Sequence, residues 1–408
     1  MKKVLLGIVF CLALLSLSAV AQESKKPIKI GHINAQTNGT YFTHPSGYGI
    51  KLAIEEINAK GGVLGRPLEV ISRDSKMNPG EAVRLAEELV VRDKVDVLMA
   101  SDASGPVVAL ASWVKRNHMP LVVATGDSDN AIWGEGSSDY VARINAGGYV
   151  KNKAIMQKLT QVYGDKIKNK RWVSVAPAIE FGRYYVKTIK QLAEQEGLKA
   201  KWVEEQWPAF GKMEAGSTIM ALEHANPDIV YVILSGSDVV SFVREAKKRG
   251  FVKNRIFIFP YLSMPQHFEL LGKEVPKGWI SLGCPFDDLK KNKPALKAFM
   301  QRYEAAYHKP VSNFSLTGYN GIKAIAAVIE KAGSTDPEKI KDAFDDLRFD
   351  TPFGEQTIRK IDHQATAFLW VGLSDFIDGY PGIRQWTEYN VNDTSPPDSY
   401  VLKLRGRK

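Results

Sequence analysis

Cysteine is almost absent from this chain: Cys11 and Cys284 are the only two in 408 residues. Cys11 falls in a segment with the marks of an export leader, so Cys284 has no partner once that leader is removed. A disulfide framework is thereby excluded, and the mature protein must be held by its core. The seven histidines are scattered, with no His-Glu-x-x-His and no metal-ligand spacing, so no metal site is expected. Gly-x-Ser-x-Gly, a Walker loop and Gly-x-Gly-x-x-Gly are missing as well. No nucleophile–base pair can be named, and neither an enzyme nor a cofactor is expected. After the leader no apolar run is long enough to span a bilayer. Basic residues outnumber acidic ones by 55 to 45, but they are scattered or sit in short runs such as 166–171. Without a basic stripe and interleaved aromatics, nucleic acid is not an expected partner.

What is present reads as a secreted α/β protein. Lys2 and Lys3 precede an apolar run over residues 4–17, and Ala19-Val-Ala21 is a small-x-small cleavage pattern. Met1–Ala21 is therefore read as a signal peptide cut before Gln22. Its loss lowers the net charge from +10 to +8, since Lys2 and Lys3 leave with it. A hydrophobic share of 44% over this length suits two globular domains.

The residues between Val95 and Asp129 organise the rest. Val95–Ala100 and Met119–Ala124 are apolar runs rich in strand formers. Between them Val107, Leu110, Ala111 and Val114 fall on one helix face. Parallel strands joined by a helix put the polar loops Ser101–Pro106 and Thr125–Asp129 at the same carboxyl edge, where open α/β sheets bind ligands. Ser104 is read as the N-cap of the helix, whose free N–H groups would face an anion. Ile28–Ile33 reads as a first strand, and 34–47 as a loop exposing Tyr41, Phe42 and His44. A helix follows around Ile50, Ala53, Ile54 and Ile57, and Asn78-Pro79 opens another. The repeating βα pattern implies a parallel sheet with helices on both faces.

The run Ile54-Glu-Glu-Ile-Asn-Ala-Lys-Gly-Gly-Val-Leu-Gly65, then Arg73-Asp74, Asn78-Pro-Gly-Glu-Ala82 and Val97–Gly105, resembles the first lobe of periplasmic solute-binding proteins. The kind in question is type I, leucine/isoleucine/valine-binding, serving ABC importers. The resemblance implies two Rossmann-like lobes joined by three crossings, with ligand in the cleft between them. A fresh βα pattern supports the second lobe, with strands at Lys170–Ala176, Ile229–Leu234 and Arg255–Phe259. The lobes are expected at 28–145 plus 284–362 and at 146–283 plus 363–408. Phe349–Ile361 and Thr366–Leu373 read as a strand pair, and the tail after Phe376 as extended chain wrapping a lobe.

By position, the resemblance makes Ser104 the residue that bonds a ligand carboxylate, and sets Thr125 and Asp127 at the ligand's polar head. It makes Phe42 and Phe181 opposed rings from the two lobes. Tyr261 stands where amino-acid binders hold the ammonium group with an acidic residue. Either Asp102, Asp127 or Asp238 takes over that role, or the ligand has no ammonium group, because a buried ammonium without a carboxylate is costly. The implied function is that of a monomeric periplasmic receptor. It would close on a hydrophobic amino acid or an aromatic or aliphatic carboxylate and deliver it to an inner-membrane permease. A soluble sensor for a signalling partner is the alternative, and a secreted α/β enzyme a more remote one.

Overall fold

The computed structural model describes residues 26–134, 137–377 and 380–407. The leader expected at Met1–Ala21 lies outside the described residues. Alternating strands and amphipathic helices run through the first part: β1 (Ile28–Asn34), α1 (Thr40–Ala59), β2 (Leu68–Asp74), α2 (Pro79–Val91), β3 (Val97–Ser101), α3 (Ser104–Asn117), β4 (Leu121–Thr125) and β5 (Val141–Arg143). They form one parallel sheet in the order β2-β1-β3-β4-β5. The strand order reverses beside β1, so the loops after β1 and β3 diverge and leave a crevice at the carboxyl edge.

After Arg143 the chain enters α4 (Gly148–Tyr163) and a second alternating series. This comprises β6 (Arg171–Val175), α5 (Glu180–Gln195), β7 (Lys201–Gln206), α6 (Ala215–His224), β8 (Ile229–Val232), α7 (Ser237–Lys248), β9 (Ile256–Ile258), α8 (Pro265–Leu271) and β10 (Ile280–Leu282). It then returns to the first lobe through α9 (Phe286–Asn292), α10 (Pro294–Tyr307), α11 (Asn313–Ala332) and α12 (Pro337–Ala343). The hairpin β11 (Leu347–Thr351) and β12 (Gly354–Ile358) follows. Leu296, Phe299, Ile322 and Ile325 of α10 and α11 share a core with Ile30, Val97 and Val122 of the first sheet. Finally β13 (Phe368–Ile377) and β14 (Tyr380–Asn390) add antiparallel strands to the second sheet, whose order is β14-β13-β10-β9-β8-β6-β7.

Three sequence expectations are corrected here. Residues 40–47 are not loop but the start of α1, and Pro45 sits inside that helix. Proline removes one rung of the helix, yet Phe42 is buried there and packs on Phe314 at 5.6 Å between ring centroids. The expected strand pair is met only at its near ends, where Ile358 bridges Ala365 and the Thr366 N–H donates to the Thr357 carbonyl at 2.8 Å; the strands of 347–358 form a hairpin of their own, because Thr351-Pro-Phe-Gly354 turns the chain and Thr351 pairs with Gly354. β13 pairs with β10 and β14. The tail is extended over β14, as expected, but it completes the second sheet there and then turns helical: Val391 and Val401, in the short helices α13 (Val391–Thr394) and α14 (Asp398–Leu404), are fully buried.

α1 and α11 approach closely through two glycines. A Cβ on Gly49 would lie 1.9 Å from the Ser315 carbonyl oxygen, and one on Gly318 would lie 2.1 Å from that of Ser46. Helix propensity alone predicts that Gly49→Ala stabilises by about 1 kcal/mol. The backbone contact reverses the sign, and a loss of about 1–3 kcal/mol is expected. Urea unfolding checks this: the midpoint should fall without a change of slope.

The lobes are joined tightly where the chain crosses. The Arg143 N–H donates to the His363 carbonyl (2.9 Å) and the Ala365 N–H to that of Arg143 (2.8 Å), so two crossings pair with each other. The fully buried Arg143 guanidinium pairs with Asp129 and donates to Gln364 Oε1 at 2.7 Å and to the Ser128 carbonyl at 3.3 Å. Gln364 Nε2 in turn donates to the Asn145 carbonyl at 2.8 Å.

Candidate functional site

On the first lobe the site begins where β3 passes into α3. Ser104 is the first residue of α3, and the cap position is Ala103, so the sequence reading of Ser104 as N-cap is corrected. Its hydroxyl accepts the N–H groups of Asp127 and Ser128, both at 3.1 Å. The hydroxyl hydrogen is left to give. Ser104 thus shapes the 125–129 loop as well as facing the cleft. Ser104→Ala would strand two buried N–H groups, at about 1–3 kcal/mol for such a loss. Chemical denaturation of the ligand-free protein should show it, and an unchanged midpoint would contradict the role. Thr125 donates to the Asp102 carbonyl at 3.0 Å. The Asp102 carboxylate takes the Ser75 hydroxyl and the Ala103 N–H. Burial pushes its pKa up to about 6, against those two hydrogen bonds.

Asp127 is the meeting point of the two lobes. It is 8% exposed and receives Lys151 Nζ at 2.8 Å, the Tyr185 hydroxyl at 2.8 Å, Asn145 Nδ2 at 2.9 Å and the Tyr261 hydroxyl. Burial alone would raise its pKa; the Lys151 charge and the tyrosine hydroxyls outweigh burial and lower it. A carboxylate with a cation and three further donors has no capacity left for a ligand ammonium group. Tyr261 is pushed well above the usual tyrosine range, first by burial and then by the Asp127 charge, so it stays a donor. Its backbone is fixed by His267: Nε2 accepts the Gly236 N–H at 3.0 Å, which leaves Nδ1–H for the Tyr261 carbonyl at 2.7 Å. Burial holds the His267 pKa down at about 4, keeping the ring neutral.

Aromatic rings close the space from both sides. Phe42 meets Tyr41 edge-on at 5.0 Å and Phe314 at 5.6 Å. Across from them, Phe181 packs on Tyr185 at 5.0 Å and on Tyr261 at 5.3 Å. Phe42, Asp102, Ser104, Thr125, Asp127, Phe181 and Tyr261 together line one cavity of about 50 Å³. Asp238 does not join them. Its carboxylate accepts the Gly211 N–H (2.8 Å) and the Met213 N–H (3.2 Å), so it fastens a turn of the second lobe, and its expected place at the ligand is corrected. Lys151, Tyr185, His267 and Phe314 were not singled out by sequence. Tyr185 alone had a signal, lying four residues after Phe181 on the same face of α5. The lobes also touch beside the cavity, where Ser128 Oγ and Asn130 Nδ2 donate to Glu180 at 2.7 and 2.9 Å and Tyr184 donates to Asp129 at 2.6 Å.

Two α/β lobes facing each other across such a cavity, with chain crossings between them, define a two-lobed small-molecule-binding protein. The family model for periplasmic binding proteins matches residues 27–374, and the chain belongs to that family. A leucine-, isoleucine-, valine-, threonine- and alanine-binding protein of Pseudomonas aeruginosa is 27% identical over 310 residues, which covers 75% of this chain and 78% of the relative. Among solved structures, a solute-binding protein of an ABC transporter from Rhodopseudomonas palustris HaA2, in complex with p-hydroxybenzoic acid, gives a TM-score of 0.79 at 21% identity. That match covers 93% of this chain and 100% of the other. A leucine-, isoleucine-, valine-, threonine- and alanine-binding protein from Brucella ovis in a closed conformation gives 0.76 at 16% identity, over 91% of this chain and 97% of the other. At these identities the two structures speak for the fold.

Proposed function

We propose that this protein is a periplasmic receptor that captures a small carboxylate with an aromatic or aliphatic body and hands it to an inner-membrane ABC permease. It would be exported by its leader, act as a monomer and perform no chemistry on its cargo. Open and closed lobe arrangements would be in equilibrium, and contacts to both lobes would favour the closed one. Ser104 and the start of α3 would take the carboxylate, while Phe42 and Phe181 would flank the part of the body next to it. The observation that carries the ligand class is the state of Asp127. It is already met by Lys151, Asn145, Tyr185 and Tyr261, so the place where an ammonium group would be held presents a tyrosine hydroxyl and no free charge.

One observation favours a second reading, a hydrophobic amino acid. Asp102 lines the same cavity, and its carboxylate accepts a hydroxyl and an N–H and faces no cation among the described residues. A thermal-shift screen of leucine, valine, benzoate, 4-hydroxybenzoate and octanoate separates the two. A ligand at 100 times its Kd stabilises by about 2.7 kcal/mol. Shifts are expected with the simple carboxylates and not with the amino acids; the opposite pattern installs the second reading, and sugars as the sole hits would refute both.

A further inference from the structure

Most of the open space between the lobes lies beyond the cavity just described. Thr125, Asp127, Tyr261 and Phe314 line that cavity of about 50 Å³ on one side and a chamber of about 920 Å³ on the other. The smaller space holds no more than a few waters, at about 10–15 Å³ each. Ligand pockets run to about 300–1,000 Å³, so the chamber has the size of a binding compartment and the cavity has the size of a head-group niche.

The chamber wall indicates what it would take. Phe268 and Trp370 from the second lobe and Met300, Leu316 and Phe353 from the first give it a largely apolar surface. Set into that surface are Ser263, Asn320 and Gln356, at 8%, 4% and 3% exposure. Among the described residues, Ser263 Oγ, Asn320 Oδ1 and Gln356 Oε1 are buried with no hydrogen-bond partner. Asn145 Oδ1 and Gln266 Oε1, also of lining residues, are in the same state; buried polar atoms are seldom left so, and five just behind the wall of one chamber, drawn from both lobes, amount to an unmet demand for donors.

We propose that the chamber is a second binding compartment. It would receive the distal, hydroxyl-bearing apolar part of an elongated carboxylate whose head lies at the Ser104 side of the Tyr261–Phe314 wall. This rests on the reading of the cleft as a carboxylate site. Because the compartment draws on both lobes, a ligand that fills it adds contacts made only when they are closed, and so favours closure.

Titration calorimetry with benzoate, biphenyl-4-carboxylate and 4′-hydroxybiphenyl-4-carboxylate tests the proposal. The two-ring acids should bind at least about tenfold more tightly than benzoate, and the hydroxyl should add a further several-fold. Asn320→Leu and Ser263→Leu should each remove the gain from the hydroxyl and reduce that from the second ring, while benzoate binds as before. Equal affinities for one and two rings, or a gain that survives both substitutions, would overturn the chamber and leave the head-group reading intact. If the two-ring acids bind, are sensitive to Asn320→Leu, and yet neither Asp102→Asn nor Ser104→Ala alters their affinity, the chamber stands and the head-group reading fails. No heat with any of the three acids overturns both.

Discussion

Arg143→Met is expected to destabilise the protein by about 3–5 kcal/mol, the usual cost of removing one member of a buried ion pair. Arg143 is fully buried and its partner Asp129 is 1% exposed. Without the guanidinium, Asp129 keeps the Tyr149 N–H at 2.8 Å and the Tyr184 hydroxyl at 2.6 Å, but no cation. Gln364 Oε1 and the Ser128 carbonyl lose a donor at the same time. The cause can be separated from a simple packing defect. In Arg143→Met/Asp129→Asn the stranded charge is gone, so the pair should unfold at a higher urea concentration than the single variant. The difference measures the coupling between the two sites. A single variant that loses less than about 1 kcal/mol, or a double variant no better than the single, would show that the pair is not what holds the crossings together. Gln364 ties the crossing at Arg143 to the one at Ala365, so the same substitution should also loosen the hinge about which the lobes move.

The fold was legible wherever local chemistry settles the matter. Asn78 caps α2 through its side chain at 2.9 Å, as the Asn-Pro pair implies, and the apolar runs at 229–234 and 95–100 carry the buried parallel strands β8 and β3. The errors fall where tertiary contacts override a local signal. Residues 40–47 look like loop because they are polar and contain Pro45, but Phe42 has a partner in Phe314, more than 270 positions away, and that packing outweighs the missing rung. The site shows the same division. Asp127 sits in the loop after β4 and Asp238 in the first turn of α7; in sequence both read as polar loop residues after apolar strands, with no way to tell them apart. One faces the other lobe and gathers Lys151, Tyr185 and Tyr261; the other is consumed by backbone N–H groups of its own lobe. Lys151 carried no signal, because a lysine near the start of an amphipathic helix is ordinarily a solvated one, and only the meeting of the lobes makes it the counter-charge of Asp127.

Asp102→Asn should stabilise the ligand-free protein at pH 8 and leave it nearly unchanged at pH 4. The carboxyl has an ordinary pKa of 3.8 and about 6 in the folded chain. Between those values the folded state holds a proton that the unfolded state has released, so stability falls as pH rises. The favourable contribution is complete below about pH 4 and lost once the pH has risen through 6. A shift of this size is worth about 3 kcal/mol, and Asn, which resembles the protonated acid, lacks the whole dependence. Thermal melts of both proteins from pH 4 to 8 should therefore diverge on the alkaline side; parallel curves would mean that Asp102 titrates normally. The same proton distinguishes the cargo. A simple carboxylate entering beside Asp102 is repelled by the ionised form and accepts a hydrogen bond from the protonated one. Its affinity should rise as pH falls from 7.5 to 5.5, by up to about tenfold per unit, and Asp102→Asn should flatten the profile. An amino acid whose ammonium group rests on Asp102 would show the reverse slope, since lowering the pH removes its counter-charge. The sign of that slope, read by calorimetry on whichever compound the screen returns, decides whether the hydroxyl at Tyr261 marks a receptor that has lost its ammonium site or one that has moved it to the other lobe.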